Sequence, residues 1–589
     1  MGMEILSSNE MAFFERYGIS LNKRWDLLKH DKCDNAISYI SSFDGMLSEN
    51  TLNFKEDDIL RIVLGFGGKN CLQKALDNAL PTLKTIVWEP DEAIFEAYCT
   101  RTDISDLIKD NRLALVIGDD ATFLEDALEK YVSDNNAFHS NVMAYGKYAD
   151  KSNEYVKTLV EIVSRVASEA TQEGFARKKF HMLPCNNLLY TIHTFNENYI
   201  VSQLFEAIPT RDIPVVIVAA GPSLMKNCKE LKRAKGKAII AAVSHSAKTL
   251  FETGISPDFV AISDASATDF LEFDKNKQYT LLSSVFADKE CREKYNGSII
   301  YHGFNMVNHL FMCSRSLTEL YSELDTGSVA TDVFSLFMSA GFKRIILVGQ
   351  DLAYDENGYT HTGFFVESNP HVEDIPRFET EGIFGGMVKT RDDWDRFRRY
   401  YECKIKENEY LEVIDATEGG ALIHGTKVMP LSEVVDNYCR TSYPIEKWVS
   451  SLEKGDMEEK EYIGQWFNTL IYNIREENIN LKDAIRLNRA ISAKWNNPSL
   501  WNDEFRAMCK KYDVLYTQIM EGNKSDVLRL YCIEAIQNYL ENALAVEGDD
   551  NTQQRMLMEC NMFMLLQKKS EELLKYINDL RGNSGEKDE

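Results

Sequence analysis

The sequence predicts an α/β protein in three parts: an N-terminal Rossmann-like domain, a central α/β domain built on a parallel sheet, and a C-terminal helical domain. Three observations predict it. Short apolar runs rich in Val and Ile alternate with helix-compatible stretches and end abruptly in Gly, Ser, Asp or Glu. The alternation comes in two blocks, separated by a helical stretch. Beyond about 431 the prolines nearly vanish, leaving Pro444 and Pro498, and apolar residues recur at helical spacing. A chain of 589 residues also exceeds what one hydrophobic core organises. The expected boundaries are 1–150 for a small β leader plus the Rossmann-like domain, 151–208 for a helical connector, 209–430 for the central domain and 431–589 for the helical domain.

Taken in order, the leader to about residue 55 reads as short strands and turns, with Leu27, Leu28, Ile37, Tyr39 and Ile40 before Asp44 and Gly45. A strand from Ile59 to Leu64 then runs into Gly65, Phe66, Gly67 and Gly68, ahead of a helix-compatible stretch from Cys71 to Leu80. Strands from Lys84 to Trp88 and from Leu113 to Ile117 end in Glu89, Pro90, Asp91 and in Gly118, Asp119, Asp120. Strand, Gly-rich turn, helix, strand and acidic residue is a nucleotide-binding order of the doubly wound kind. The glycine spacing is imperfect, which favours a domain kept for packing or acceptor binding over one that holds a ribose on Glu89.

In the connector, Tyr155, Leu159, Ile162, Val163 and Val166 share one helix face, and Pro209 and Pro214 bracket the next strand. The most informative stretch follows, PVVIVAAGPSL from Pro214 to Leu224. An apolar run breaks there into Ala220, Gly221, Pro222 and Ser223. Gly221 lacks a Cβ that would keep a phosphate away, and Ser223 is placed to cap a helix beginning near Leu224, whose N-terminus favours an anion. Further strands reach Ser244, His245 and Ser246, then Ser263 and Asp264, with two more from Leu281 to Phe286 and from Ser298 to Tyr301. The stretch DTGSVA, Asp325 to Ala330, opens a helix, and GFKRIILVGQDLAY, Gly341 to Tyr354, repeats the first design with Gly349, Gln350 and Asp351 at a strand end. In an open parallel sheet, carboxyl ends of strands are where ligands bind. In the last part, Met562, Leu566, Leu573, Ile577 and Leu580 mark a helix face that reads as packing.

Charge and composition narrow the function. A net charge of −26 offers no basic stripe for nucleic acid, although a nucleotide needs only a few local donors. Twelve cysteines, including Cys33, Cys71, Cys185, Cys313, Cys403 and Cys560, form no CxxC pair, which reads as reduced thiols in the cytoplasm. The start, MGMEILSSNEMAFFERY, lacks a signal-peptide pattern, and no run approaches the roughly 20 apolar residues of a membrane span. No Asp-x-Asp stands at a strand end and no His/Cys cluster has ligand spacing, so no metal is expected. The pairs Asp119, Asp120 and Asp549, Asp550 read as solvated turns.

The segments AAGPSL, GISPDFVAISD (Gly254 to Asp264), TGSVA (Thr326 to Ala330), GFKRIILVGQDLAY, THTG (Thr360 to Gly363) and DATEGGALIHG (Asp415 to Gly425) together resemble the motility accessory factor, or Maf, family of flagellin glycosyltransferases. The same middle segments are similar to bacterial sialyltransferases that use CMP-sialic acid. The resemblance implies a sialyltransferase-like central domain and a CMP-activated nonulosonic acid, of pseudaminic or legionaminic type, as donor. It further implies transfer to Ser or Thr of flagellin in the cytoplasm, with no other cofactor.

Under that resemblance Ala220, Gly221, Pro222, Ser223 and Leu224 approach the donor phosphate or ribose, and Thr326, Gly327 and Ser328 supply a second helix N-terminus. Ser244, Asp264, Gly349, Gln350, Leu352 and Tyr354 surround the nucleotide, and Thr417, Glu418, Gly419 and Gly420 close the site. Asp351 and His361 are the two candidates for the general base that takes the acceptor proton, with His302 and His424 ranked lower. Two departures, Asp415 where the family commonly has Asn and Ala265 where it often has Pro, leave fine substrate choice open. Two other readings compete. One is a 6-hydroxymethylpterin pyrophosphokinase using ATP and Mg²⁺, which the central motifs also resemble. The other is a non-catalytic flagellin-binding assembly factor.

Overall fold

Runs that are apolar at every position, such as LRIVL and LALVI, belong in strands covered on both faces, and the fold places them there. The computed structural model describes residues 9, 11–12, 60–76, 84–110, 112–132, 137, 140–149, 153–180, 183–266, 279–303, 327–362, 377–521, 527–532, 535–536, 539 and 552–582. The expected β leader lies almost wholly outside them. Its few described residues, Asn9, Met11 and Ala12, are helical. Contacts divide the chain into two compact units, residues 1–179 with 537–555, and residues 180–536 with 556–589.

In the first unit β1 (Leu60–Leu64), β2 (Lys84–Glu89), β3 (Leu113–Ile117) and β4 (Ser140–Ala144) form a parallel sheet in the order β3-β2-β1-β4. The helices α1 (Gly68–Leu76), α2 (Glu92–Cys99) and α3 (Ala121–Tyr131) follow the first three strands in turn, as right-handed crossovers require. Asp91 and Asp120 cap α2 and α3 through their side chains. The long α4 (Glu154–Phe180) lays Leu159, Ile162, Val163 and Val166, the predicted face, onto the core that also buries Ile62, Ile86 and Trp88.

The second unit takes up the rest of the 151–208 stretch as α5 (Leu183–His193), β5 (Tyr199–Ile200) and α6 (Val201–Ala207). Its sheet adds β6 (Val215–Val218), β7 (Ile239–Val243), β8 (Phe259–Ile262), β9 (Thr280–Ser284), β10 (Ile299–His302) and β11 (Arg344–Val348). After the hairpin of β12 (Arg377–Glu381) and β13 (Met387–Arg391) come β14 (Glu412–Asp415) and β15 (Lys427–Val428). Among the described residues nine strands line up as β15-β14-β11-β6-β7-β8-β9-β10-β5, each pair parallel. The chain enters at β6, moves outward to β10, then returns to lay β11 on the other side of β6. That reversal is the topological switch point, where a parallel sheet opens a crevice beyond its carboxyl ends.

Three helices bear on the crevice: α7 (Ser244–Glu252) after β7, α8 (Val329–Ser339) before β11, and α9 (Asp392–Glu407) after the hairpin. One face of the sheet buries Val215, Ile217, Ala241, Leu282, Ile300 and Leu347 with Val333, Phe334 and Phe337 of α8. The other buries Val216, Val218, Ile240, Ile346 and Ile414 with Leu224, Leu431 and Val434. The C-terminal region is helical as expected, with α10 (Met457–Trp495), α11 (Asp503–Glu521) and α12 (Thr552–Gly582). Met562, Leu566, Leu573, Ile577 and Leu580 are all buried on α12. A polar link crosses this packing: the Asn488 amide donates to Tyr512 Oη (2.9 Å) and to the Met556 carbonyl (3.0 Å), and Tyr512 donates to Glu559.

Candidate active site

Beyond the last paired residues of β6 and β11 the two chain ends remain stitched together. The Ala219 amide donates to the Val348 carbonyl at 2.9 Å and the Gly221 amide to the Gly349 carbonyl at 2.7 Å. Gly349 has φ +67°, and a Cβ there would lie 2.5 Å from the Ala219 oxygen. At Gly221 a Cβ would lie 1.9 Å from Asp351 Oδ1. The missing side chain at Gly221 therefore makes room for a neighbouring carboxylate, a use that the sequence did not suggest.

Asp351 explains the behaviour of Ser223 as well. Its carboxylate accepts the Ser223 backbone N–H at 3.1 Å and the Ser223 hydroxyl at 2.9 Å. Ser223 has no capping bond to the four-residue helix Leu224–Asn227, so the expected cap is replaced by a clamp between two strand ends. A charge-assisted acceptor outcompetes a helix that short. Burial pushes the Asp351 carboxyl up to about 6, against the Ser223 bonds and the charge of Lys226. Beside it Asp415, at the end of β14, accepts from the Thr417 N–H at 3.0 Å, and burial with the Asp351 charge pushes it up to about 7.

Leu352, the next residue, has φ +48°, the left-handed region that a β-carbon penalises by about 1–2 kcal/mol. Two contacts hold it: Thr390 Oγ1 donates to the Leu352 carbonyl at 2.8 Å, and the Ala421 amide donates to the Asp351 carbonyl at 2.7 Å. Gly420, at φ +89°, packs so close that a Cβ would sit 2.0 Å from that Asp351 carbonyl oxygen. Thr417 accepts from the Gln350 N–H (3.2 Å) and the Glu418 carbonyl accepts from Lys226 (2.8 Å). The turn 417–420 thus buttresses Asp351 from behind and does not line the crevice.

The crevice is a cavity of about 360 Å³. Of the expected residues, Ala220, Gly221, Asp264, Gly327, Ser328, Gly349, Gln350, Asp351, Leu352 and His361 line it. Pro222, Ser223, Leu224, Ser244 and Tyr354 do not: Leu224 is core, Ser244 is buried at the start of α7, and the Tyr354 ring packs 4.8 Å from Trp394. Thr326 lies outside the described residues. Ser328 caps the eleven-residue α8, its Oγ accepting the Thr331 N–H at 3.2 Å while Thr331 Oγ1 accepts the Ser328 N–H at 3.1 Å. Ser328, Val329 and Ala330 all face the cavity, so the positive end of a real helix points into it.

Six further polar or aromatic residues of the lining are not among the expected site residues: His245, Thr360, Arg391, Asp393, Trp394 and Phe397. His245 takes the place expected of its neighbour Ser244, and its ring stacks on His361 at 5.5 Å. Burial lowers both imidazoles, His361 to about 4, with the charges of His245 and Arg391 adding to the effect. Thr360 Oγ1 holds His361 Nδ1 at 2.9 Å. Arg391, Trp394 and Phe397 come from the start of α9, where the Arg391 guanidinium lies 4.0 Å over the Trp394 ring and its Nε donates to Asp393 at 2.8 Å. The only signal for them was RDDWDRF, acidic residues opening a helix, which places no residue in a cavity. His302 is buried and not part of this lining, and His424 is exposed, 3.8 Å from Glu381.

In the first unit Glu89 is fully engaged. It accepts the Phe66 N–H at 2.9 Å, the Asp91 N–H at 3.0 Å and the Tyr148 hydroxyl, while burial raises its pKa. Its carboxylate holds the strand-end turn together, in keeping with a domain kept for packing.

The family described as 6-hydroxymethylpterin diphosphokinase MptE-like matches residues 186–357, the segment from α5 through the Asp351 strand end. No curated protein matches the chain in sequence. Among solved structures the chain is similar to a Maf glycosyltransferase from Magnetospirillum magneticum AMB-1, at 14% identity and a TM-score of 0.54, with 98% of this chain and 97% of that one covered. The strand-end motifs and the full-length match agree: this chain has the fold of a Maf glycosyltransferase.

Proposed function

We propose that the protein is a glycosyltransferase that moves a nonulosonic acid from its CMP-activated form to Ser or Thr hydroxyls of flagellin in the cytoplasm. The observation that carries this reading is the cavity at the switch point between β6 and β11, into which the N-terminus of α8 points and which Arg391, ion-paired with Asp393, also lines. Those groups suit a phosphate that becomes a leaving group, because charge develops on it as the glycosidic bond breaks. Asp264 and Gln350, whose Oε1 is buried without a partner, are placed to hold hydroxyls of the nucleotide or sugar.

A base must take the proton of the acceptor hydroxyl. His361 suits this better than Asp351, because its imidazole is neutral at physiological pH while both Asp351 oxygens are engaged by Ser223. The negative charge of a bound donor raises the imidazole pKa toward the working range. Asp351 then acts as a positioning residue that fixes the Gly221 turn.

The test is incubation of the protein with flagellin and CMP-pseudaminic acid, following CMP release and flagellin intact mass. CMP release with a mass increase of one sugar per event is expected. Absence of both, with this donor and with CMP-legionaminic acid, overturns the reading. The family match over residues 186–357 favours one alternative, diphosphoryl transfer from ATP to 6-hydroxymethylpterin. AMP release with that pterin, in the presence of Mg²⁺, would establish it instead.

A further inference from the structure

Past the cavity, three polar side chains stand in a row at the carboxyl ends of β8, β9 and β10. The register pairs Ile262 with Ser283 and Ser284 with His302, so Ser263, one residue on, stands beside Ser284. Laterally paired residues share a face of a sheet. This face is the one that carries Ala261, Leu282 and Ile300, and also Ala219 and Val243, two residues of the cavity lining. Ser263 is followed directly by Asp264, itself in the lining.

The row is unusual for what it lacks. His302 is 1% exposed and neither ring nitrogen has a hydrogen-bond partner. The buried Ser263 Oγ has none either. Ser284 Oγ accepts a long bond from the Phe286 N–H, 3.3 Å, which leaves its proton to donate. Buried polar groups are almost always paired, and two unpaired side chains that flank a third with a proton to spare mark a place that a ligand can complete. Burial brings His302 down to about 4, so the ring is neutral and offers one donor and one acceptor. Two hydroxyls and a neutral imidazole match uncharged hydroxyl and amide groups rather than a phosphate or carboxylate.

We propose that Ser263, Ser284 and His302 form a subsite that receives the uncharged hydroxyl and acylamino groups of the transferred sugar, beside the part of the cavity that takes the nucleotide. The proposal rests on the glycosyl-transfer reading. Calorimetric titration of the full chain with CMP and with CMP-N-acetylneuraminic acid tests it. His302→Phe and Ser263→Ala are each expected to weaken the CMP-sugar by roughly tenfold, the effect of one lost hydrogen bond, and to leave CMP unchanged. Ser263→Ala removes one atom and serves if His302→Phe fails to fold. Unchanged binding of both ligands, or an equal loss of both, overturns the subsite alone. A parent protein that binds neither ligand overturns the subsite together with the glycosyl-transfer reading.

Discussion

Asp351 and Asp415 carry the clearest residue-level consequence, because both hold protons more tightly in the folded chain than the usual carboxylate does. With folded values near 6 and near 7 against 3.8, the folded state binds more protons than the unfolded state across the interval between. Their contribution to stability therefore falls as pH rises from about 4 through about 7, and levels off above. Asp415→Asn keeps an acceptor for the Thr417 N–H and removes the charge. It is expected to stabilise the protein by about 1–3 kcal/mol at pH 8 and to change it little at pH 4, as read by thermal unfolding at the two pH values. An equal effect at both would show that Asp415 is ionised at no cost. At His361 the expected change is in rate: His361→Gln lowers the turnover number by about 10²–10⁴ with donor affinity nearly kept, measured by CMP release. Asp351 and His361 are legible in the sequence because each follows a strand end or lies in a motif. The partner of Ser223 is not, since the carboxylate that claims it stands 128 residues away. His245 is not legible for a different reason: it opens α7 beside Ser244, and only the way that helix sits on the sheet shows which of the two adjacent residues turns to the cavity.

At the scale of elements, the strands were the most legible feature, because a short β-branched run covered on both faces has nowhere to stop except at a turn. β7, β8 and β11 all stop at the residue before the expected strand-end turns at Ser244, Ser263 and Gly349. The hairpin β12–β13 and the start of α9 were not, because their charged, half-exposed sequence carries no period-two apolar signal. Two turns that share a left-handed backbone separate strain from crowding. Gly420→Ala adds a Cβ 2.0 Å from the Asp351 carbonyl oxygen, whereas Gly358→Ala, at φ +82°, meets nothing within 4 Å. The second is expected to cost about 1–2 kcal/mol from φ alone. The first costs at least 1–3 kcal/mol more by overpacking, and denaturant titration of both variants reads the difference. Equal losses would mean that the 417–420 turn yields freely and does not buttress Asp351.

For the whole molecule, the sequence order of two strand–helix blocks followed by long helices made the fold class legible, while the share of the 151–208 stretch that falls to each unit was not. A helix face shows that something covers it, never which sheet. The first unit also provides a check on its own role. Glu89→Ala leaves the Phe66 and Asp91 amides and the Tyr148 hydroxyl unpaired, so it is expected to destabilise that unit by about 1–3 kcal/mol, seen as faster limited proteolysis between residues 60 and 149. CMP affinity of the protein should not change. A loss of nucleotide binding would return Glu89 to a ligand-holding part. One feature of the second unit bears on biosynthesis: Asp351 of the pocket is packed between Gly221 and the Gly420 turn behind it, pieces far apart along the chain. Such non-local pairing forms only after every piece is available. While translation proceeds, a newborn polypeptide still tethered to its ribosome has no braced Asp351 until Gly420 has emerged from the exit tunnel.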